Sequence, residues 1–462
     1  MACGPIEHSV GSDDGIRLGD ILAALSHALD LTEGQPAGHC VRATYIGMHI
    51  GRELGLSEFE LWELYYTVML KDLGCSSNAA RLCALYLADD LKLKHDFKTV
   101  PDSLPKVLGY VLSHTGLKAG LAERFKAILN IARNGGALVH ELIQTRCQRG
   151  AEIARLLRFP PAVCDAIHAL DEHWDGRGHP DQLAGADIPL YARIALMAQV
   201  VDVFHTAAGP EAALAEVRGR SGGWFDPHAV VCFERAASTP GFWGTLGSDG
   251  LEAAVLALEP ARRGVVIDED YLDDIARAFA QVIDAKSPFT SGHSERVAVY
   301  TDMVAAELGF DAERRRWLRR AALLHDIGKL GVSNTILDKN GKLTDDEWRD
   351  MRAHANLSEA ILARVPAFRD MARIGGSHHE RLDGKGYPRG LGEDALPLET
   401  RIVTVADVFD ALTADRPYRA AMPLEKALGI MRADLDKAFD PSCFTALERA
   451  LSASEGDLAR AA

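Results

Sequence analysis

The chain has 462 residues, of which 47% are hydrophobic and 25% are charged, and its formal net charge is −15. This length allows two or three domains that each bury a core, and the composition is that of globular rather than disordered protein. The negative charge argues against a nucleic-acid polymer as partner, because that affinity depends on clustered Lys and Arg. An anionic small molecule remains compatible with the sequence where metals or local bases supply positive charge.

The N-terminal segment has no basic region followed by an apolar core, and no stretch approaches the roughly 20 apolar residues that span a bilayer. We therefore expect no membrane association and a cytoplasmic location. The 8 cysteines include no CxxC pair and have no regular spacing. Free thiols in a reducing compartment fit this pattern better than a disulfide framework or a zinc ribbon.

The first half of the chain is repeated in the second half. Residues 38–74 align with 292–328 without a gap at an offset of 254, and residues 189–202 align with 397–410 at an offset of 208. Because the offset falls between the two blocks, the first half carries an insertion, which we place at about 76–145 and predict to be helical. A connector rich in Gly, Ser and Thr follows, with a boundary near 248–265. We predict two tandem domains, at 1–250 and 265–462.

Apolar residues recur at intervals of three and four in the second half, for example at 273–284, 296–310 and 346–365. This period predicts amphipathic helices, and no alternating run is long enough to indicate a sheet. Thr344 followed by Glu347 is a capping-box pattern that predicts where the last of these helices begins. The predicted fold class is all-α.

Seven candidate metal ligands lie in five separated fragments of the second half. They are His293, His325, Asp326, His354, His378, His379 and Asp407. Imidazole and carboxylate donors without a thiolate suit iron, manganese, nickel or zinc. The adjacent histidines can share a site only if the backbone leaves the helix there, as the following DGKGYP segment predicts. Paired cations activate water and neutralise phosphoryl charge, so phosphodiester hydrolysis is the natural reaction.

The motifs GHSERV, HDIGKLG, HHERLDGKGYP and RIVTVADVFDALTADRPYR occur in order between Asp273 and Phe444. In order and spacing this segment resembles the HD-GYP family of cyclic-dinucleotide phosphodiesterases, a branch of the HD phosphohydrolases. The resemblance implies two metal sites that share Asp326. One takes His293, His325, Asp326 and Asp407, and the other takes Asp326, His354, His378 and His379.

Phe289 stands where family members with a third metal carry Glu. The resemblance therefore implies two divalent metal ions and a linear dinucleotide as the main product. Iron and manganese are the expected metals, with nickel and zinc as alternatives. Cyclic di-GMP is the substrate that the family favours, and cyclic GMP-AMP with two 3′–5′ linkages is the alternative, because nothing in the sequence identifies the bases.

Lys329 lies one helical turn after His325 and can offer a cation to the substrate phosphate. The resemblance implies phosphate contacts for Arg416 and Arg419, which solvated surface positions would also explain, and a pocket-shaping role for Tyr387. Asp410, one turn after the last ligand, could bind metal, orient a water or support a ligand. The expected catalytic residues are Asp326, Lys329 and Asp410.

The first half has lost most of the corresponding ligands. Lys71, Arg146, Leu170, Asp171 and Gln199 occupy their positions, while His39 and Asp72 remain. We predict that this repeat binds no metal and that its two cations supply the positive charge near Asp72. A packing or dimerisation scaffold is favoured over a regulatory ligand site. A homodimer or a protein partner through this repeat is the corresponding expectation, and a signalling or interaction module is the alternative to an enzyme.

Overall fold

The computed structural model describes residues 17–98, 104–116, 120–260, 267–415 and 419–461. Every regular element in these ranges is a helix, and the extended pairing within them is confined to isolated bridges. The predicted all-α fold class is therefore confirmed. None of the described helices is both long and apolar enough to cross a membrane.

The chain divides into two compact units. The first unit takes Arg17–Tyr271 with Ser333–Thr335, and the second takes Leu272–Val332 with Ile336–Ala462. The division falls inside two helices, Glu269–Asp284 and Asn334–Leu337.

The described part of the first unit is built mainly from α-helices. They are Leu18–Thr32, His39–Glu53, Glu58–Met69, Ala79–Tyr86, Asp90–Phe97, Leu104–His114, Leu121–Leu156, Pro161–His168, Leu190–Ala208, Pro210–Gly219, Pro227–Ala237, Phe242–Leu246 and Leu251–Leu258. Two 3₁₀ turns, Cys75–Asn78 and Gly185–Asp187, complete it.

The second unit has a similar but shorter series. Its α-helices are most of Glu269–Asp284, then His293–Glu307, Ala312–Leu324, Asp345–Ala363, Arg369–Gly375, Leu398–Thr413, Leu424–Arg432 and Pro441–Ala461. Its 3₁₀ turns are Ile327–Gly331, Pro366–Phe368 and Glu393–Ala395. The predicted capping box is present, because the Thr344 hydroxyl accepts from the Glu347 amide and the Glu347 carboxylate accepts from the Thr344 amide.

The helices of the two repeats begin at equivalent residues. His39–Glu53 and His293–Glu307 are separated by the offset of 254 at both ends. Each follows a glycine in the left-handed region, Gly38 with φ 86° and Gly292 with φ 67°, a conformation that costs little only for glycine. The same turn therefore places the first histidine of each repeat at the start of its helix.

A second pair of glycines lets two backbone segments meet closely in each repeat. A Cβ on Gly328 would lie 2.0 Å from the carbonyl oxygen of His354, and a Cβ on Gly74 would lie 1.9 Å from that of Arg146. Only a residue without a side chain fits at such a distance. This contact holds the segment after Asp326 against the helix that carries His354.

Candidate metal centre

All seven predicted ligands converge in the second unit. Their donor atoms form two groups, and within each group all atoms lie within 4.8 Å of one another. The groups are Asp326, His354, His378 and His379, and His293, His325 and Asp407. All seven residues are buried except His379, which is partly exposed.

Helix ends and turns bring these side chains together from distant parts of the chain. His293 is the first residue of its helix, while His325 and Asp326 lie at the junction between the helix Ala312–Leu324 and the 3₁₀ turn that follows. The helix Arg369–Gly375 ends before His378 and His379, which both lie in a turn. The predicted departure from helix at this histidine pair is confirmed.

Asp326 lies between the two groups, and each of its oxygens faces one of them. Oδ2 is 3.5 Å from Nε2 of His293 and 3.3 Å from Nε2 of His325. Oδ1 is 3.5 Å from Nε2 of His354 and 3.5 Å from Nε2 of His378. On the Oδ2 side, Asp407 Oδ1 is also 3.3 Å from His293 Nε2. A carboxylate in this position can bridge two cations.

Three histidines are oriented by a contact to the carbonyl three residues earlier. Nδ1 lies 2.6 Å from the Ala322 oxygen in His325, 2.5 Å from the Met351 oxygen in His354, and 2.9 Å from the Gly375 oxygen in His378. A carbonyl only accepts hydrogen bonds, so Nδ1 carries a proton and Nε2 is the ring nitrogen left for a metal. Metal-binding histidines usually donate the N–H of the other ring nitrogen to a carbonyl or carboxylate in this way.

Several of the inward-facing atoms are buried without a hydrogen-bond partner. They are Nε2 of His293, Nε2 of His325 and Oδ1 of Asp326. Buried polar atoms without partners are costly, and a cation would satisfy all three. The arrangement therefore fits metal ions bound at the positions that the sequence predicted.

The electrostatics of the cluster also favour bound cations. Although burial opposes ionisation, the adjacent imidazole of His325, the ammonium of Lys329 and the imidazole of His293 hold the pKa of Asp326 well below its usual range. The pKa of Asp407 is also well below normal against the effect of burial, because the imidazoles of His293 and His325 face it. Burial lowers the pKa of His354 to about 3, which keeps this imidazole neutral as a metal ligand must be.

Asp410 lies behind His293 rather than at the centre of the cluster. Its Oδ2 is 2.7 Å from His293 Nδ1, and Arg296 Nε donates to its Oδ1 at 2.5 Å. Both carboxylate oxygens are thus engaged away from the ligand atoms. Of the three roles expected for Asp410, this placement favours support of the ligand His293, and its catalytic role stays a prediction.

The other residues that were predicted to contact substrate differ in how close they lie to the metal centre. The ammonium of Lys329 pairs with Asp326, and the ring of Tyr387 lies 4.8 Å from that of His379 between centroids. Arg419 donates to the backbone oxygens of Ala411, Leu412 and Ala420, at the end of the helix Leu398–Thr413. Its contact with phosphate stays a prediction. Arg416 lies outside the described residues.

In the first unit, cationic side chains lie in the region that corresponds to the metal centre of the second unit. Lys71 pairs with Asp72, and Arg146 pairs with Asp171. Although burial opposes ionisation, Lys71 and other charges hold the pKa of Asp72 at about 2. Side-chain ammonium and guanidinium groups thus stand next to the retained carboxylate.

One further group of donor atoms in the first unit could in principle hold a metal. Glu33, Asp72 and Cys75 each offer one donor atom, and these atoms lie within 4.8 Å of one another. However, Glu33 already pairs with Lys98 at 2.8 Å and with Lys94 at 3.5 Å. The expectation that this repeat binds no metal stays a prediction.

Sequence reasoning overlooked the arginine that holds Asp410. Arg42 binds Asp202 in the first repeat as Arg296 binds Asp410 in the second, with Nε to Oδ1 distances of 2.5 Å in both. The pairs are related by the same two offsets that define the repeat. An Arg three residues after the first histidine in both repeats was the signal that could have found it.

Comparisons with known proteins show the family of the chain. The HD domain family model matches residues 112–228 and 277–443. The 3′3′-cGAMP-specific phosphodiesterase 3 of Vibrio cholerae is 53% identical over 435 residues, which cover 94% of this chain and 95% of the relative. A cyclic di-GMP phosphodiesterase response regulator of Xanthomonas campestris is 40% identical over 185 residues, covering 40% of this chain and 49% of the relative.

A solved structure is also similar over nearly the whole chain. The crystal structure of a cyclic GMP-AMP specific phosphodiesterase of Vibrio cholerae matches with a TM-score of 0.65 and 48% identity, covering 94% of this chain and 97% of that one. The chain therefore belongs to the HD domain family, as a member of its HD-GYP branch with a degenerate first repeat.

Proposed function

We propose that this protein is a metal-dependent phosphodiesterase that opens a 3′,5′-cyclic dinucleotide to the linear dinucleotide. The observation that carries the proposal is the position of Asp326, whose two oxygens face two separate sets of imidazole nitrogens. One carboxylate between two groups of neutral donors is the arrangement of a dinuclear hydrolytic centre.

The proposed ligands form two sets, which are the two groups of donor atoms described above. His293, His325 and Asp407 would hold one divalent cation, and His354, His378 and His379 would hold the other, with Asp326 shared. Two bound cations would supply Lewis acidity, which lowers the pKa of water and neutralises charge on the phosphoryl oxygens. Iron and manganese suit these nitrogen and oxygen donors, and nickel and zinc are alternatives.

The protein backbone and side chains orient the histidines of this centre. The backbone carbonyls behind His325, His354 and His378 accept from each Nδ1, which leaves Nε2 as the ring nitrogen that faces the centre. Asp410, held by Arg296, orients His293 in the same way. Lys329, paired with Asp326 and partly exposed, places positive charge beside the site where a phosphate would bind.

We propose 3′3′-cyclic GMP-AMP as the first substrate to test. The relative that matches almost the full length of this chain is named as specific for that molecule. Cyclic di-GMP, which the sequence resemblance favoured, becomes the second candidate, supported by the relative that matches 40% of this chain. The two molecules share the same backbone, so the metal centre itself does not distinguish them.

The test is hydrolysis of both cyclic dinucleotides by the purified protein with Mn²⁺ or Fe²⁺, followed by separation of the products. Asp326→Asn should abolish turnover and reduce metal content, because one amide cannot bridge two cations. Asp72→Asn is the matched control, since Asp72 is the equivalent residue of the first repeat. No turnover of either molecule by the wild type, or full activity of Asp326→Asn, would contradict the proposal.

For the first repeat we propose a scaffold that folds without metal. The buried pair Lys71–Asp72 and the partly buried pair Arg146–Asp171 support this role, since each puts a fixed cation beside a carboxylate where the second repeat has metal ligands. Association of two copies or a protein partner through this repeat would be tested by light scattering of the full chain. A strictly monomeric protein over the micromolar range would contradict the dimer.

A further inference from the structure

The second unit contains a cavity beside the metal centre that the proposed chemistry does not use. Its volume is about 670 Å³, within the range of small-molecule sites. One wall is the helix Asp345–Ala363, and the other is the segment of Gly386, Tyr387 and Pro388.

The helix presents an aromatic ring and a guanidinium to this cavity. Trp348, Arg352 and Asn356 line it at intervals of four residues, which places them on one helical face. Trp348 is 43% exposed, unusual for so large an apolar side chain. The Arg352 guanidinium lies 5.5 Å from the Trp348 ring centroid and 5.3 Å from that of Tyr387.

Arg352 is available to a ligand. Within the part of the chain that the structure describes, its contacts are these two rings and no carboxylate pairs with it. The neighbouring Arg349 differs, because it pairs with Asp346. An exposed guanidinium set between two aromatic rings keeps its five donors for another partner.

Tyr387 lines the cavity and also contacts the histidines of the metal centre. Its ring centroid lies 4.8 Å from that of His379 and 6.4 Å from that of His354. A molecule with a phosphate at the metal centre could therefore extend along Tyr387 into the cavity. In a cyclic dinucleotide, one ribose separates each base from the phosphates.

We infer that this cavity binds a guanine base of the cyclic dinucleotide, an inference that rests on the proposed function. Trp348 would stack on the base, and Arg352 would donate hydrogen bonds to its O6 and N7 atoms. Unpaired bases are recognised by aromatic rings and guanidinium planes in this way. Arg has donors only, so it complements the two acceptors of the guanine edge. Adenine presents one acceptor and one donor at the same edge.

The experiment compares kcat and KM for cyclic di-GMP, 3′3′-cyclic GMP-AMP and cyclic di-AMP. Trp348→Ala should raise KM for guanine-containing substrates about 5- to 150-fold, the range for loss of one stacked base, with little change in kcat. Trp348→Phe should restore most of the affinity. Arg352→Ala should raise KM more for cyclic di-GMP than for cyclic di-AMP. Val299→Ala, at an exposed apolar site on another helix, is the control and should change neither constant.

Three outcomes would overturn the inference. They are unchanged KM values in Trp348→Ala, an equal rise for all three substrates in Arg352→Ala, which would assign Arg352 to the phosphate, and a rise in KM for cyclic di-AMP but not for cyclic di-GMP in Asn356→Ala, which would assign the cavity to adenine.

Two further measurements separate this inference from the proposed function. Metal content of each variant should equal that of the wild type, because the cavity residues are not proposed ligands. If the wild type hydrolyses none of the three molecules, the proposed function fails. Calorimetric binding of cyclic di-GMP to the wild type and to Trp348→Ala then still tests the cavity, and equal affinities would overturn the inference.

Discussion

Replacing Asp410 with Asn tests how the protein prepares His293 to bind metal. Asp410 accepts from His293 Nδ1 through one oxygen and from Arg296 Nε through the other. Arg296 has only donors, so in the variant the remaining amide oxygen must face Arg296 and the amide NH₂ must face His293. Nδ1 then becomes the acceptor, and the proton moves to Nε2, where it blocks the lone pair.

The expected size of the effect follows from the geometry of the site. His293 Nε2 lies 3.3 Å from Asp407 and 3.5 Å from Asp326, so it is one of four donors around the first cation position. Loss of a partner behind a metal ligand costs 10- to 100-fold in metal affinity, or about 1.4 to 2.7 kcal/mol. Because this substitution inverts the tautomer, we expect the upper end of that range.

The assay is titration of the metal-free variant with Mn²⁺, together with the rate of cyclic dinucleotide hydrolysis. Asp202→Asn is the matched control, because Asp202 Oδ2 lies 2.6 Å from His39 Nδ1 and Oδ1 accepts from Arg42. Both variants weaken a buried ion pair, so both should lower the free energy of unfolding. Only Asp410→Asn should lose metal affinity. Wild-type affinity in Asp410→Asn, or an equal loss in Asp202→Asn, would refute the reasoning.

Chelation of metal from the purified protein should abolish hydrolysis, and added Mn²⁺ or Fe²⁺ should restore it. Hydrolysis by a sample that metal analysis shows to contain no bound ion would contradict the assignment. Gly328→Ala should lower both the stability and the metal affinity of the protein, because its Cβ would lie 2.0 Å from the carbonyl oxygen of His354. Gly74→Ala should lower the stability alone. Thermal unfolding and metal titration of the two variants measure these effects. Lys71→Met should destabilise the protein by about 3–5 kcal/mol because it leaves Asp72 buried without its cation. Denaturant unfolding measures that loss, and a change under 1 kcal/mol would show that the pair does not replace metal as proposed.

The sequence by itself determined the fold class, the duplication and the identity of the seven donor residues. Helical periodicity and capping patterns are local properties of the sequence, so they predicted the all-α architecture and the capping box at Thr344 directly. The order and spacing of the His and Asp fragments were enough to expect that they converge. The loss of ligands in the first repeat was also readable, because Lys71 and Arg146 stand at equivalent positions.

Only the tertiary structure decided what each side chain does at the site. It placed the two oxygens of Asp326 toward different histidines, turned Arg419 onto backbone carbonyls, and put Asp410 behind His293. It also placed Arg352 between two aromatic rings beside the centre. The physical reason is that these roles depend on the directions of side chains from helices far apart in the chain. Those directions are set by packing, which no local pattern records.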